Sequence, residues 1–254
     1  MDYERELECA REAAARAGEI ALRYAGQIAF DAKSDASPVT AADRACESAI
    51  AGLLEEFFPD DGLLGEEGTE KPAPSGRRWI IDPIDGTRDF IRGNPTWAVL
   101  IALEDCGDVV MGVANVAAMG EMYHGVRGAG AFVNGEPLRA SSCASVEDAL
   151  LAIDAFRDLY RYPFAGALAA LWPRFWGLRA MGGCYDALMV ARGRFDLFFQ
   201  TAGKPWDFAA LKIIAEEAGA RYFDFEGRNT IYGRNAVFAA PGLEGEARRL
   251  LGLR

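Results

Sequence analysis

The sequence predicts a mixed fold, an α+β half followed by a smaller half in which helices and strands alternate. Apolar, strand-like runs follow one another between residues 77 and 133, which is typical of an antiparallel meander. After residue 143, helical and strand-like patterns alternate along the chain. A chain of 254 residues, 51% of them hydrophobic, can bury a core as one large domain or as two closely packed halves.

The N-terminal half, residues 1–143, begins with two predicted helices. Residues 2–24 place Leu7 and four alanines near helical spacing, and Thr40 with Asp43 resembles a capping box that starts a second helix in SPVTAADRACESAIAGLLEEFF. The Gly- and Pro-rich segment PDDGLLGEEGTEKPAPSG is expected to be a loop. The predicted strands that follow are RRWIID, TWAVLIALE, DVVMGVANV, EMYHGV and GAFVNGE.

The C-terminal half, residues 144–254, begins after a short linker near RASSCASVED, so both halves are expected to form one compact unit. Pro173 is expected to break the helix in PFAGALAALWPRFW, and Gly219 to end the strong helix WDFAALKIIAEEAG. The aromatic stretch LYRYPFAGALAALWPRFWGL suits either the core or a contact surface. Further strands and helices are predicted in ALLAID, CYDALMVARGR, FDLFF, ARYFDF, AVFAA and LEGEARRLLG.

Composition excludes several classes of function. The net charge of −11 argues against a nucleic-acid partner, and no apolar run approaches the roughly 20 residues that span a bilayer. Five scattered cysteines without a C-x-x-C pair, together with a charged N-terminus, favour a cytoplasmic protein. His124 is the only histidine and is interpreted as a strand or surface residue. Zinc sites built on histidine are therefore excluded, and the chemistry is expected to depend on carboxylates.

The stretch WIIDPIDGTRDF ends an apolar run on two close carboxylates, Asp82 and Asp85. Pro83 biases Asp82 toward an extended conformation, and Gly86 permits a turn that other residues resist. Thr87 is expected to cap the following helix, so amides near Gly86 and Thr87 would face outward and offer an anion site. Two carboxylates beside an anion site suit Mg²⁺, which binds carboxylates together with phosphate and water.

Each of these features also has a purely structural interpretation. The D-x-x-D-G-T pattern fits an Asx-turn with a helix cap, and Glu66 and Glu67 in GEEG fit a solvated loop. Asp207 in KPWDF fits a carboxylate that stabilises a helix N-terminus. Residue patterns alone therefore leave a metal site and a set of caps as alternatives.

Taken in order, GEE, WIIDPIDGTRDF and PWDFAAL resemble the inositol monophosphatase superfamily of Mg²⁺-dependent, lithium-sensitive phosphatases. The stretch GEMYHGVRGAGAFVNGEPLRAS is similar to the family as well, so the resemblance covers nearly the whole chain. It implies a layered α-β-α-β-α sandwich, a small phosphomonoester as substrate and a homodimer.

The resemblance also implies roles for individual residues. The ligands of two or three Mg²⁺ ions would be Glu66, Asp82, the backbone carbonyl of Ile84, Asp85 and Asp207. Asp43 matches an acidic partner of Thr87, and with Glu66 this pair is expected to help activate the attacking water. The expected contacts to the phosphate and the alcohol of the substrate are Asp85, Gly86, Thr87, Gly183, Cys184, Gln200 and Asp207.

The segment DFIRGNPTWAVLIALE is most similar to the histidinol-phosphatase branch, which implies L-histidinol phosphate as the preferred substrate. Two positions depart from that pattern. Gln200 stands where many members carry glutamate, and Gly183 where this branch often has aspartate. Asp186 could substitute for that aspartate, although an exposed helix residue is favoured. The alternatives are an inositol-1-phosphate or broad sugar-phosphate phosphatase and, from another class, a non-catalytic metal-dependent polyanion binder.

Overall fold

The larger of two main sheets has eight strands. The computed structural model describes residues 2–24, 30–32, 38–154 and 156–253; Ser37, the first residue of the predicted second helical segment, lies outside them. The strands are β1 Phe30–Ala32, β2 Pro38–Thr40, β3 Gly62–Gly65, β4 Glu70–Lys71, β5 Arg77–Asp85, β6 Ala98–Asp105, β7 Asp108–Val116, β8 Glu121–Val126, β9 Gly130–Val133, β10 Glu136–Pro137, β11 Leu150–Asp154, β12 Gly177–Arg179, β13 Leu197–Gln200, β14 Arg221–Phe223 and β15 Ala236–Ala239. The large sheet has the order β10-β9-β8-β7-β6-β5-β3-β4, and β1 pairs with β2.

The large sheet is antiparallel from β10 to β5, as the sequence predicts, but β3 joins β5 in parallel. The prediction of a loop over PDDGLLGEEGTEKPAPSG is wrong in this part, because β3 and β4 lie within it. Leu63 is buried and pairs with Trp79 of β5. The short GLLG run is therefore a strand because of this pairing, which its own sequence does not predict.

The smaller sheet has the order β12-β11-β13-β15-β14. Strands β11, β12 and β13 are parallel, whereas β15 pairs with both β13 and β14 in antiparallel fashion. Parallel pairs require crossover connections, which agrees with the alternation of helices and strands predicted for this half.

The helices form three layers around the two sheets. They are α1 Glu4–Tyr24, α2 Ala41–Phe57, α3 Thr87–Arg92, α4 Phe156–Leu159, α5 Ala165–Leu171, α6 Gly183–Ala191, α7 Pro205–Glu217 and α8 Glu244–Leu250. Helices α1 and α2 share a core with one face of the large sheet, and α6 and α7 fill the space between the sheets. Helices α5 and α8 cover the outer face of the small sheet. The predicted α-β-α-β-α sandwich is confirmed.

Several local predictions can be compared directly with the structure. Thr40 and Asp43 form the predicted capping box at α2, and helix α7 is followed by Gly219 with a positive φ of 93°. Helix α5 ends before Pro173, where a single 3₁₀ turn follows. In the aromatic stretch, Phe164 is buried in the core, whereas Trp176 is 73% exposed, so the core interpretation holds for part of it and the contact surface stays a prediction. Within the described ranges, no helix is long and apolar enough to cross a membrane.

Candidate active site

Strand β5 carries Asp82 to one end of the large sheet. Its pairing with β6 shifts register between Asp82 and Asp85, where Pro83 interrupts the ladder because it lacks an amide hydrogen. The amide of Ile84 donates to Asp82 Oδ1 over 3.1 Å, as in an Asx-turn. The other oxygen, Asp82 Oδ2, is buried and has no hydrogen-bond partner in the described part of the chain. The predicted turn is therefore present, and it satisfies only one of the two oxygens.

Three carboxylates from two elements meet at this point. One oxygen from each of Asp82, Asp85 and Asp207 lies within 4.8 Å of the other two. Asp207 comes from the first turn of α7, which packs against β5, β6, β7 and β8. Its carboxylate also accepts a hydrogen bond from the amide of Lys204, so Asp207 caps the helix and still belongs to the cluster. The structural and the functional interpretation of Asp207 are compatible.

The electrostatics of this cluster are unfavourable for three ionised groups. Burial raises the pKa of Asp82 well above its usual range, and the negative charges of Glu66, Asp85 and Asp207 raise it further. Burial also raises the pKa of Asp207, again with help from Asp85. For Asp85, burial raises the pKa to about 6, although a hydrogen bond from Cys184 opposes the shift. Buried carboxylates that repel one another either take up protons or require a compensating cation.

The donor set fits a hard divalent cation. Carboxylate oxygens are the ligands that Mg²⁺ prefers, and Asp82 Oδ2 is a buried acceptor without a donor among the described residues. Glu66 follows β3 directly, and its amide donates to the carbonyl of Ile81 over 3.1 Å. Glu66 therefore lies beside β5 and lines the same cleft as the three aspartates.

Gly86 and Thr87 form the next part of the cleft wall. Gly86 has a φ of 86° and occupies the N-cap position of α3, without a side-chain cap. The prediction that Thr87 caps this helix is wrong, since Thr87 is the first helical residue. Its hydroxyl instead donates to the carbonyl oxygen of Ile84 over 3.2 Å. The left-handed conformation at Gly86 explains the change, because it turns the chain one residue before the threonine.

Asp43 lies behind the cluster and is fully buried. Its Oδ2 accepts hydrogen bonds from the amide and the hydroxyl of Thr40, at 2.7 and 2.6 Å, whereas Oδ1 has no partner within the described ranges. Burial raises the pKa of Asp43, the Thr40 hydrogen bonds oppose that shift, and the charge of Glu66 adds to it. Asp43 thus caps α2 and retains one buried acceptor oxygen without a partner among the described residues.

The cleft extends from the carboxylate cluster toward the small sheet and has a volume of about 680 Å³. Its lining also includes Asp154, Asp158, Arg161, Tyr162, Gly183, Trp206 and Arg234. Cys184 is buried, and its amide donates to Asp85 Oδ2 over 3.0 Å. The N-terminus of α6 is therefore tied to one of the cluster carboxylates.

The sequence model of the inositol monophosphatase family matches residues 2–252. The chain belongs to the inositol monophosphatase family. A histidinol-phosphatase of Chlorobaculum parvum is 40% identical over 94% of this chain and 93% of its own length. An inositol-1-monophosphatase of Rhizobium meliloti is 36% identical, with coverage of 85% and 84%.

Solved structures of the family show the same fold. The extragenic suppressor protein suhB of Bartonella henselae has a TM-score of 0.89 at 31% identity and covers 98% of both chains. The Thermotoga maritima IMPase also has a TM-score of 0.89, at 30% identity, and covers 98% of this chain and 97% of its own. The family is Mg²⁺-dependent, and this chain is a phosphoric monoester hydrolase that acts on small phosphomonoesters.

Within this family member, Asp186 differs from its predicted environment. It was expected to be exposed on its helix, but it is fully buried. Its carboxylate accepts hydrogen bonds from the amides of Met181 and Gly182, at 3.1 and 3.4 Å, which holds the turn before α6. Burial raises the pKa of Asp186 to about 7 despite these hydrogen bonds. Asp186 does not line the cleft, because it satisfies a helix N-terminus instead.

One cleft carboxylate, Asp154, was missed by sequence reasoning. It ends β11, and its register partner on the parallel strand β13 is Gln200. A Cβ placed on Gly183 would lie 3.4 Å from Asp154 Oδ2 and 3.6 Å from Gln200 Nε2, so the three positions adjoin one another. Asp154 could have been proposed from the sequence because it ends a predicted strand, and α/β folds bind ligands at the carboxyl ends of their strands.

The predicted site residues therefore fall into two groups. Glu66, Asp82, Ile84, Asp85, Gly86, Thr87, Gly183 and Asp207 line one cleft. Asp43, Cys184 and Gln200 are buried behind its wall. His124 lies on β8, stacks on Phe132 at 5.3 Å between ring centroids and is not part of the cleft lining, which confirms its interpretation as a strand residue.

Proposed function

We propose that this phosphatase preferentially hydrolyses L-histidinol phosphate, using Mg²⁺ held at the carboxylate cluster. The observation that carries the proposal is the group formed by Asp82, Asp85 and Asp207, whose ligand oxygens lie within 4.8 Å of one another. Full ionisation of such a group is unfavourable, and a bound divalent cation would offset that cost. The ligands would be Glu66, Asp82, the carbonyl of Ile84, Asp85 and Asp207, for two or three ions.

When bound, Mg²⁺ would lower the pKa of a water molecule and offset the negative charge of the phosphoryl group and of the leaving alkoxide. The protein's own contribution is to hold its ligands in place before substrate arrives. Asp82 and Asp85 are fixed by the irregular end of β5, and Asp207 by the first turn of α7. Preorganised charge of this kind supplies most of the acceleration in phosphoryl transfer.

We assign the phosphate contacts to Gly86 and Thr87, and the orientation of the attacking water to Thr87, Asp43 and Glu66. The position of Gly86 and Thr87 in the cleft wall supports the first assignment. The second assignment is supported by Asp43. Its Oδ2 accepts a hydrogen bond from Thr40, whereas its Oδ1 is a buried acceptor with no partner among the described residues. A group in this position can accept a proton or orient a hydroxyl.

The substrate preference has two lines of support. Histidinol-phosphatases of Chlorobaculum parvum and Mycobacterium tuberculosis are 40% and 37% identical to this chain. In addition, Asp154 lines the cleft beside Gly183, where we place the alcohol. A carboxylate at this position suits an alcohol that carries a cationic amine. We assign the alcohol contact in this region to Gly183, and we expect Cys184 and Gln200, which are buried beside it, to influence the alcohol through Gly183.

A second candidate is an inositol-1-phosphate or sugar-phosphate phosphatase. It is favoured by the neutral Gln200 and Gly183 at positions where a cationic alcohol would benefit from carboxylates, and by relatives named as inositol-1-monophosphatases. The non-catalytic polyanion binder is not retained, since every predicted carboxylate ligand is present and the chain belongs to a family of hydrolases.

A substrate panel with Mg²⁺ tests the preference. Phosphate release from L-histidinol phosphate, inositol 1-phosphate and fructose 1,6-bisphosphate would be measured at equal enzyme concentration. We expect kcat/KM for L-histidinol phosphate to exceed the others by roughly tenfold or more, as a single charged hydrogen bond provides. Equal and low turnover on all three would reject histidinol phosphate as the preferred substrate.

We further propose that residues 1–143 bind metal and phosphate, while residues 144–254 supply Asp207 and the alcohol contacts, within one compact unit. We also propose a homodimer. The exposed aromatic side chains of Tyr160 and Trp176, 77% and 73% accessible, offer one surface for such pairing. Light scattering at several protein concentrations tests the assembly, and a mass of 27.5 kDa throughout would contradict it.

A further inference from the structure

A buried glutamate on α2, Glu47, holds the turn that carries Glu66. Glu47 is only 2% exposed, although it carries no ion pair within the described ranges. Its Oε2 accepts a hydrogen bond from the amide of Glu67 and its Oε1 accepts one from the amide of Thr69, both at 2.8 Å. Both carboxylate oxygens of Glu47 therefore accept hydrogen bonds from backbone amides within the three residues that follow Glu66.

The rest of the turn is arranged around the same carboxylate. Gly65 donates its amide to the carbonyl of Thr69 over 2.7 Å, which closes the turn. A Cβ on Gly65 would lie 2.5 Å from the carboxyl carbon of Glu47, so only glycine allows this close approach. The amide of Glu66 itself is bound to Ile81 on β5. The Glu66 backbone is thus fixed from two sides, by β5 and by Glu47.

Helix α2 consequently supports the site at two positions one turn apart. Asp43 stands at the N-terminal end of α2 near the Glu66 charge, and Glu47 follows four residues later on the same buried face. A buried carboxylate bound only to amides stabilises one backbone conformation strongly, because moving those amides away would leave the charge without partners.

We propose that Glu47 is a positioning residue for Mg²⁺ binding, acting through the Glu66–Thr69 turn. This inference rests on the proposed function, because it takes Glu66 as a metal ligand. Glu47 does not line the cleft and would touch neither metal nor substrate. It would set the direction of the Glu66 carboxylate before the ion binds, as outer partners of metal ligands do.

The test compares Glu47→Gln with Glu55→Gln. Both variants remove one carboxylate from α2, but Glu55 is exposed and lies away from the turn. Glutamine keeps the size of Glu47 yet presents an NH₂ group to one of the two amides, so one hydrogen bond is lost. Binding of Mg²⁺ to the metal-free proteins would be measured by calorimetry, alongside the Mg²⁺ concentration that gives half-maximal phosphate release.

We expect Glu47→Gln to weaken Mg²⁺ binding by roughly 10- to 100-fold, with kcat largely recovered at saturating Mg²⁺, and Glu55→Gln to match the wild type. A double-mutant cycle with Glu66→Gln adds a sharper criterion. If Glu47 acts through Glu66, Glu47→Gln changes Mg²⁺ affinity by less than about threefold once Glu66 is already replaced. A purely structural role would lower stability and leave the Mg²⁺ affinity unchanged.

Should Glu47→Gln fail to fold, Gly65→Ala perturbs the same contact from the opposite side and is expected to weaken Mg²⁺ binding as well. Folded Glu47→Gln with wild-type Mg²⁺ affinity would overturn the inference, as would an equal effect with and without Glu66. Failure of the wild type itself to bind Mg²⁺ or release phosphate would instead overturn the proposed metal site.

Discussion

A buried carboxylate lies at each end of β5, Asp61 beside its first residues and Asp82 near its last, but their environments are opposite. At the first end, Asp61 accepts hydrogen bonds from Arg77 at 2.7 and 3.1 Å, from Ser75 at 2.9 Å and from the indole of Trp79 at 3.0 Å. At the other end, Asp82 is surrounded by further carboxylates, and its Oδ2 has no partner in the described part of the chain.

The pKa values follow these environments. Burial alone raises the pKa of Asp61, but the hydrogen bonds from Arg77 and Ser75 and the charge of Arg77 bring it below its usual range. Burial and negative neighbours raise the pKa of Asp82 instead. Burial of an acidic side chain therefore does not by itself identify a functional site. The distinguishing feature is whether the protein itself supplies the positive charge.

Asp82→Asn is expected to have the largest effect. Activity should fall by at least about a thousandfold, because the variant loses a direct metal ligand and even outer partners of ligands cost 10- to 100-fold. The metal-free protein should be no less stable than the wild type, since the substitution removes an uncompensated buried charge. Phosphate release and urea unfolding without metal measure both effects. Near-normal turnover would contradict the assignment of Asp82.

Arg77→Met tests the opposite end of the strand. The guanidinium of Arg77 binds both Asp61 and Glu6, each at 2.7 Å, so its loss leaves both carboxylates without a neighbouring positive charge from Arg77. We expect the free energy of unfolding to fall by about 3 kcal/mol at pH 7, while the folded variant keeps its kcat. Because the folded pKa of Asp61 is lowered, this stabilisation is present above its unfolded pKa of about 4 and is lost as the pH falls below it.

The control for Arg77→Met is Arg174→Met, which breaks an ion pair with Glu147 whose side chains are 55% and 56% exposed. An exposed pair contributes at most about 1 kcal/mol, so the control should change stability much less. Equal losses in the two variants, measured by urea denaturation at pH 7, would show that burial at Asp61 is not what matters.

Each Mg²⁺ site should stabilise the wild type by about 2.7 kcal/mol when the Mg²⁺ concentration is 100 times the dissociation constant of that site, because only the folded state holds the assembled ligands. Arg77→Met should gain the same increment, since its change lies at the other end of β5. Asp82→Asn should gain little. Thermal unfolding with and without Mg²⁺ would measure the three increments, and equal stabilisation of Asp82→Asn would contradict a metal site at this end.

Asp186 is intermediate between Asp61 and Asp82, because it is a buried acid whose hydrogen bonds come only from backbone amides. Its replacement is expected to change stability least. Burial raises its folded pKa to about 7, so the native state holds a proton that the unfolded chain releases near pH 4. Stability therefore falls as the pH rises through this window. Asp186→Asn should gain roughly 2 kcal/mol relative to the wild type between pH 5 and pH 8, because only the native wild type holds the proton over most of this window. Parallel pH profiles of the urea midpoint would contradict this.

Much of the fold could be predicted because its signals are local. The capping box at Thr40 and Asp43, the break at Pro173 and the stop after α7 each depend on residues within one turn. Strands β3 and β4 could not be predicted, because their pairing depends on β5, and Gly- and Pro-rich segments are ordinarily loops. The burial of Asp186 was missed for a different reason. The amides that it binds lie only four and five residues before it, but its burial depends on the packing of α6 between the two sheets.

The composition of the site follows from the amino-acid sequence, which contains an acidic D-P-I-D-G-T strand end, a glutamate pair before it and an aspartate far downstream. Packing of the folded chain sets which of these carboxylates meet, which accept hydrogen bonds and which lack a partner among the described residues. Bringing Asp207 to Asp82 requires α7 to pack on the large sheet, and fixing the turn at Glu66 requires Glu47 from α2. Charge compensation depends on distances of a few ångströms between residues far apart in the chain, and those distances are set by packing.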